Sequence, residues 1–536
     1  MSLADVRIKR IAMFRFEAPI SVTAADHEPV RKSSTKLTRS ASLNIAASLL
    51  DYVAKMVVGF FVTPILVAGL GRALFGVWEI LGRLVGYMSA TDGRPTEALR
   101  LTIANQQAID DPASKRRYIA SALGVWLLFL PILLTAGIIL VWLAPTIGKV
   151  PSESYASIRL TAALLVINFL LANLAALPES VLRGTNLGYK RMGLQAGLSF
   201  VGGVFTAGAI YAGSGLVGVA GAQVALTLVT GILFWFVVKK FVPWFGMARP
   251  TRADLRSLLG LSIWNTTGSL IAKVQLASDV IILGVIASAS MVSTYVLTGY
   301  AAQAVTGITT LVLGAVTPGL AGLIGGREYE KTSALRNEMM AINWLLVTAI
   351  GSIILLWNRS FLHLWVGEQY YAGSWANLLI VLVMAQTTFI RTDAYLIDAT
   401  LKLRDRVLVS GVAALLSIAF SIILTPSLGI VGLCIGLLVG RLVQTISYPF
   451  MLNSRLGGAR SIRPRTIARA GLVMALCFLG SAYMGQRLQA ESWLAFIACM
   501  GGSLGILTLI ASVTGLSSES RTLLNKRFRL ILTSIA

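Results

Sequence analysis

The chain has 536 residues, of which 56% are hydrophobic and 13% are charged, and its formal net charge is +23. Water-soluble domains are about 45–50% apolar and about 25% charged, so this composition excludes a soluble globular protein. Apolar stretches of roughly 20 residues, the length that crosses a bilayer, recur along most of the sequence.

The first 39 residues form a polar segment that is rich in Lys and Arg. This segment lacks the apolar core of a secretory signal, so we expect it to lie in the cytoplasm near anionic lipid. The apolar runs that follow are long and continuous, as in 125–141, whereas barrel strands would be short and alternating. Backbone groups in hydrocarbon must be hydrogen-bonded within their own segment. The sequence therefore predicts an all-α polytopic membrane protein.

We predict about fourteen transmembrane helices joined by short polar connections. The expected spans are, in chain order, 40–68, 74–90, 118–144, 157–182, 194–212, 216–238, 257–286, 290–318, 338–362, 373–401, 407–425, 430–451, 467–486 and 493–514.

Lys and Arg concentrate in alternate loops and in both termini, whereas the other loops hold only Arg72, Lys149, Arg359 and Arg487. Cytoplasmic loops carry the excess of positive charge in membrane proteins. This asymmetry predicts a bacterial inner-membrane protein with both termini in the cytoplasm, and it explains the net charge without a nucleic-acid partner. Two basic cytoplasmic stretches with interspersed apolar residues, 91–117 and 239–256, are predicted to be interfacial helices on the inner surface.

The sequence contains a weak internal repeat, as in membrane proteins built from duplicated halves. At a constant offset of 218 residues, polar positions of the first span recur in the seventh: Asn44, Ser48, Asp51 and Lys55 correspond to Ser262, Thr266, Ser269 and Lys273. A Gly-Leu/Ile-Val-Gly turn precedes both the sixth and the twelfth span. Since each half holds an even number of spans, the two six-helix bundles are expected to be parallel.

We accordingly divide the chain into two bundles, two additional helices and polar connections. The expected units are a basic cytoplasmic tail at 1–39, the first bundle at 40–238, an interfacial linker at 239–256, the second bundle at 257–451, a cytoplasmic loop at 452–466, two added transmembrane helices at 467–514 and a basic cytoplasmic tail at 515–536.

Several charged residues fall inside the predicted spans, where a charge at the bilayer centre costs at least about 2.5–3.5 kcal/mol. They are expected to face protein or water in a central cavity. The basic ones are candidates for binding an anionic headgroup such as a diphosphate, and the acidic ones for balancing that charge or binding a coupling ion. The basic candidates are Lys55, Arg83, Lys273 and Arg391, and the acidic candidates are Asp51, Glu79, Asp279 and Asp393.

A second interpretation of these charges remains open, because Asp51 with Lys55 and Glu79 with Arg83 have the spacing of ion pairs within one helix. Arg441 is assigned to the edge of a span, where it reaches water, and is left out of the site. The three cysteines lie in separate apolar segments, and neither histidine has a catalytic partner in the sequence. We therefore expect no catalytic residue, metal or cofactor, and predict a transporter instead of an enzyme.

Four short segments resemble the multidrug, oligosaccharidyl-lipid and polysaccharide exporter superfamily, and within it the polysaccharide or O-antigen flippase branch. They are 69–78 after the first span, 183–186 after the fourth, 278–284 in the seventh, and the repeated Gly-Leu/Ile-Val-Gly turn. The resemblance implies two bundles in a V shape that alternate between inward-open and outward-open states. It also implies an undecaprenyl-diphosphate-linked oligosaccharide as substrate, in the synthesis of O-antigen, capsule or exopolysaccharide.

The resemblance leaves the coupling ion open between H⁺ and Na⁺, and it names a polysaccharide polymerase and a chain-length protein as candidate partners. Three alternatives to this function remain. The first is a cation-coupled exporter of drugs or organic cations in the same superfamily, against which the cavity cations count. The second is a lipid II flippase, and the third is a membrane oligosaccharide polymerase, which would need a larger extracytoplasmic loop.

Overall fold

The computed structural model describes residues 34–90, 92–107, 111–191, 193–400, 403–455, 464–518 and 520–522. Within these ranges, the description of side chains leaves out 34–47, 191, 261, 263–277, 315, 318, 319, 321, 403, 455 and 464. The two predicted tails fall largely outside the described residues, as does most of the predicted loop 452–466. The side chain of Lys273 also lies outside them.

All regular structure in these described ranges is helical, which confirms the predicted all-α class. In chain order the helices are α1 Ser34–Met88, α2 Pro95–Asn105, α3 Pro112–Gly148, α4 Tyr155–Gly184, α5 Leu194–Tyr211, α6 Gly215–Phe241, α7 Arg252–Ile286, α8 Ala289–Thr298, α9 Tyr300–Gly325, α10 Tyr329–Trp365, α11 Ser374–Ala399, α12 Leu403–Arg455, α13 Pro464–Met484 and α14 Trp493–Ile510. A π-helical turn, Ala511–Gly515, extends α14.

The two longest helices are each broken at a glycine. Gly71 in α1 has φ 73° and ψ 173°, and Gly429 in α12 has φ 57° and ψ −130°. Glycine adopts positive φ without the steric cost that a Cβ would bring. Both breaks fall between two predicted spans, so each helix consists of two arms. Gly215, the counterpart of Gly429 in the repeated turn, also has a positive φ of 54°, so the first glycine of the turn has positive φ in both halves.

Among the described residues, ten helices are long and apolar enough to cross a membrane, or eleven if the bent pair α8 and α9 forms one span. That pair bends by 56° at Gly299. Two of the ten are α1 and α12, and the two arms of each would cross the membrane once apiece. The polytopic membrane architecture is thus confirmed, and the count of fourteen spans stays a prediction.

The main apolar core joins the two halves of the chain. It contains residues from both arms of α1 and parts of α3, α4 and α6, together with residues from α7 to α13. A second core lies among α2, α3, α4 and α6, and it also buries Leu258 from the start of α7. The other end of α7 contributes Val280 and Leu283 to the main core. α7 therefore packs on the first half with its first turns, and with its last turns it lies in the core that both halves share.

Neither predicted interfacial helix has the expected form. In the stretch 91–117, α2 buries Leu99 and Ile103 completely and packs against α4, α3 and α7. The apolar face of this amphipathic helix is covered by protein instead of lipid. In the stretch 239–256, α6 continues to Phe241 and α7 begins at Arg252, and the residues between them form turns and irregular chain.

An ion pair and a capping box fix the start of α7 against the first half. Arg117 of α3 donates to the carboxylate of Asp254 at 3.1 Å, and Thr251 and Asp254 form a capping box at the start of α7. Burial raises the pKa of the Asp254 carboxyl, but hydrogen bonds from Thr251 and Arg117 outweigh it and hold the pKa below its ordinary value. The first turn of α7 is therefore anchored to α3 by a charged carboxylate.

Candidate functional site

Three polar residues of the second arm of α1 share one face of the helix, because Glu79, Arg83 and Tyr87 are spaced four residues apart. Glu79 interacts electrostatically with Arg83. Tyr87 shares a side-chain hydrogen bond with Ser278 of α7 and lies within electrostatic range of Asp279. This face of α1 thus connects the first half to α7.

Asp279 extends the connection into the second half. One of its oxygens accepts a hydrogen bond from the hydroxyl of Tyr295 on α8 at 2.9 Å. The other accepts from the backbone N–H of Val280 at 2.8 Å. Arg441 of α12 interacts electrostatically with both Asp279 and Tyr295.

Arg441 and Arg391 complete the group. Arg441 is only 7% exposed and donates to the hydroxyl of Thr387 on α11 at 2.7 Å. Arg391 lies one helical turn beyond Thr387, donates to the hydroxyl of Thr310 on α9 and interacts electrostatically with Arg441. We call these connected residues the central polar cluster: Glu79, Arg83, Tyr87, Asp279, Tyr295, Arg391 and Arg441.

The structure therefore brings together four of the eight residues that the sequence nominates, namely Glu79, Arg83, Asp279 and Arg391. Asp393 lies elsewhere. Its two oxygens accept hydrogen bonds from Nε and a terminal nitrogen of Arg336 at 2.7 and 2.9 Å, and side-chain exposure is 4% for Asp393 and 12% for Arg336. This geometry is that of a buried ion pair between α10 and α11.

The first arm of α1 carries the other two described candidates. Asp51 is buried and Lys55 is exposed. Between them, the hydroxyl of Tyr52 donates to the carbonyl of Ala304 on α9 at 2.9 Å. The arm therefore contacts the second half, and a role for Asp51 and Lys55 in the site stays a prediction, as does that of Lys273.

Sequence reasoning missed Arg441. The residue lies twelve positions after the break at Gly429, which is about 18 Å along a helix, and is therefore far from either end of its arm. The assignment to a span edge is wrong for this reason. The repeated glycine turn was the signal that could have located it, because the turn marks where the arm begins.

At one end of the bundle, two basic side chains of the first half bind the junction between α7 and α8. Lys149 donates to the carbonyls of Ile286 and Ala287 at 3.3 and 3.1 Å. Arg72 donates to the carbonyl of Ser290 at 3.3 Å and to the hydroxyl of Thr294 at 2.6 Å. Ile286 and Ala287 lie at the C-terminal end of α7, where carbonyls have no partner within the helix and attract cations such as Lys149. We call these contacts the α7–α8 latch.

Aromatic side chains also join the two halves, near the end of the bundle that holds the α7–α8 latch. The indole N–H of Trp365 on α10 donates to the carbonyl of Phe60 on α1 at 2.7 Å. The rings of Phe60 and Trp365 stack with centroids 5.7 Å apart, and Trp493 of α14 contacts Phe60 edge-on at 6.0 Å. Such ring pairs add about 0.5–1.5 kcal/mol beyond the area they bury.

Replacing Gly76 by alanine is expected to open the α7–α8 latch, because the new Cβ would lie 1.8 Å from the carbonyl oxygen of Ala289. α1 and α8 would have to separate. A cysteine introduced by Val292→Cys, at a position that is completely buried, should then react with a maleimide about 10-fold faster in a background without native cysteines. The matched control is Gly82→Ala on the same arm, where a Cβ meets nothing within 4 Å. Equal labelling rates in both variants would contradict this role of the close contact.

Within the described chain, no group of three or more His, Cys, Asp and Glu side chains is placed to hold a metal ion. No family model matches the sequence. No curated protein matches it either.

Solved structures do match. A lipid II flippase, MurJ, in an inward closed conformation superposes with a TM-score of 0.67 at 11% identity, covering 87% of this chain and 98% of that chain. An inward-facing multidrug resistance MATE family transporter of the MOP superfamily gives 0.60 at 15% identity, covering 78% and 98%. The chain has the fold of these transporters. An outward-facing MATE family transporter gives 0.51 at 17% identity, covering 78% and 95%. The solved structures with this fold therefore include both inward-facing and outward-facing conformations.

Proposed function

We propose that this protein is a flippase that moves undecaprenyl-diphosphate-linked oligosaccharide across the bacterial inner membrane by alternating access, for surface polysaccharide synthesis. The observation that carries the proposal is the charge of the central polar cluster. Among the described side chains it holds three arginines, Arg83, Arg391 and Arg441, and two acidic residues, Glu79 and Asp279, so with all five ionised it has an excess of one positive charge.

An excess cation in the middle of a membrane protein needs an anion. Charges at the bilayer centre are costly and face protein, water or a substrate path. Guanidinium groups bind phosphate oxygens through paired hydrogen bonds. A diphosphate headgroup therefore fits the excess charge, while its lipid tail could remain in the bilayer.

The position of the cluster fits alternating access. Its residues come from α1 in the first half and from α7, α8, α11 and α12 in the second, so separation of the halves changes its surroundings. The α7–α8 latch and the stacking of Phe60 on Trp365 hold the halves together at one end. Both contacts consist of side-chain hydrogen bonds and ring packing, which can break and re-form without unfolding a helix.

Two other functions use the same architecture. One solved neighbour is a lipid II flippase, and lipid II would present the same diphosphate chemistry with a different sugar. Others are MATE family transporters, and an exporter of organic cations would use Glu79 and Asp279 as its charged groups. The positive excess of the cluster favours an anionic substrate over an organic cation.

The proposal is tested in a deletion strain by measuring lipid-linked oligosaccharide in each leaflet, surface polysaccharide and drug tolerance. The expected result is accumulation of the intermediate on the inner leaflet and loss of surface polysaccharide, both restored by the wild-type gene. Unchanged polysaccharide with reduced drug tolerance would contradict the proposal and favour the exporter. Accumulation of lipid II would instead identify the lipid II flippase.

A further inference from the structure

Two arginines of the central polar cluster lie side by side in the second half. Arg441 donates to the hydroxyl of Thr387 at 2.7 Å. Arg391 follows Thr387 by four residues on α11, so Thr387 and Arg391 lie on the same face of that helix, one turn apart. Arg391 and Arg441 also interact electrostatically with each other. Two like charges are therefore held together inside the protein.

The neighbouring carboxylates of α11 do not neutralise this pair, because each has an arginine of its own. Asp393 receives two hydrogen bonds from Arg336. Asp398, near the end of α11, is paired with Arg406. Asp279 interacts electrostatically with Arg441, and it also accepts a hydrogen bond from the hydroxyl of Tyr295.

The two arginines differ in access. Arg441 is 7% exposed, and Arg391 is half-buried. A guanidinium group in the membrane interior is unstable against lipid tails, so the exposed part of Arg391 faces an aqueous or ligand-filled space. Its hydrogen-bond partner Thr310 is a neutral hydroxyl on α9. A hydroxyl partner orients a guanidinium group but carries no charge that would neutralise it.

We propose that Arg391 and Arg441, held by Thr310 and Thr387, form a diphosphate-binding site within the second half, between α9, α11 and α12. Paired guanidinium groups supply enough N–H donors for two phosphate groups. This inference rests on the proposed function in one respect: the proposed function supplies the identity of the lipid that carries the diphosphate. The new element is the location of the site. The headgroup binds to residues of the second half, so the site moves with that half when the two bundles separate.

The test uses the full chain in nanodiscs of neutral phospholipid and measures binding by calorimetry. The probes are farnesyl diphosphate, farnesyl monophosphate and inorganic pyrophosphate. We expect Arg391→Gln and Arg441→Gln each to weaken farnesyl diphosphate binding by about 10-fold, since each removes charged hydrogen bonds. Arg391→Lys should weaken it less. The matched control is Arg404→Gln, which changes an exposed arginine at the start of α12 and should leave affinity unchanged.

A second measurement needs no variant. Phenylglyoxal modifies accessible arginines, and farnesyl diphosphate should protect Arg391 in the wild-type chain while Arg404 continues to react. This result keeps the proposal testable even if Arg441→Gln does not fold. Equal protection by pyrophosphate would support the site and show that the diphosphate alone is recognised, whereas protection by the farnesyl compound only would show that the lipid is also required.

The failures of the two proposals can be distinguished. If the wild type binds farnesyl diphosphate and both glutamine variants bind it equally well, the site is wrong and the flippase function stands. Absence of binding to the wild type, or absence of protection at Arg391, also overturns the site. If the deletion strain exports polysaccharide normally, the proposed function fails whatever the binding experiment shows.

Discussion

Replacing Asp393 by alanine is expected to destabilise the protein by about 3–5 kcal/mol, because it leaves the charge of Arg336 buried without its partner. The two side chains are 4% and 12% exposed, and their shorter contact is 2.7 Å. The neighbouring hydrogen bond between Asn343 and Thr392, at 2.7 Å, joins the same two helices and would lose its alignment. Thermal unfolding of the purified protein in detergent measures the change.

The matched control is the pair of Asp398 and Arg406 at the end of α11. Its side chains are about one third exposed, at 34% and 31%, so Asp398→Asn should cost only about 0.2–1 kcal/mol. The double variant Arg336→Met with Asp393→Leu removes both charges and should recover most of the lost stability. If Asp393→Ala unfolds at the wild-type temperature but abolishes transport, Asp393 acts in ion coupling and the structural interpretation is wrong.

Replacing Arg83 by glutamate is expected to reduce transport by at least about 100-fold while the protein remains folded. The change converts the excess positive charge of the central polar cluster into a deficit and places a second carboxylate one turn from Glu79. Losing one charged hydrogen bond costs about 1.5–3 kcal/mol, and repulsion of an anionic substrate adds to this loss. The measurement is translocation of a fluorescent isoprenyl diphosphate in proteoliposomes.

The chain offers a control with the same spacing. Glu179 and Arg183 also lie four residues apart, 3.9 Å from each other, but Arg183 is 48% exposed at the end of α4. Arg183→Glu should therefore change transport by less than about 2-fold, since exposed pairs contribute little. Comparable losses of transport in the two variants would show that the loss depends on the overall charge of the protein and not on the central position of Arg83.

Local sequence signals located the helices and their breaks well. The turn around Gly71 and the repeated turn at Gly429 separate spans because positive φ is easily reached only by glycine. The apolar length of each span and the absence of alternation identified the all-α class. These features depend on residues close together in the chain, so the sequence alone contains them.

Local signals identified only part of the candidate site. Glu79, Arg83 and Asp279 stood out as charges inside apolar segments. Arg441 was assigned to the edge of a span, and its contacts with Thr387 and Asp279, which lie on other helices, appear only in the tertiary structure. In the sequence, Asp393 and Asp279 are both carboxylates inside apolar segments. Only the tertiary structure shows that Asp393 forms an ion pair with Arg336 of another helix.

The sequence by itself determined the membrane environment, the helical class, the glycine breaks and the repeat, since hydrophobic length and backbone conformation are properties of short segments. The tertiary structure decided which intramembrane charges meet. It brought two arginines together on α11 and α12, paired Asp393 with Arg336, and covered α2 with protein. Each of these outcomes depends on how separate helices pack, because a buried charge is stabilised by partners from other helices.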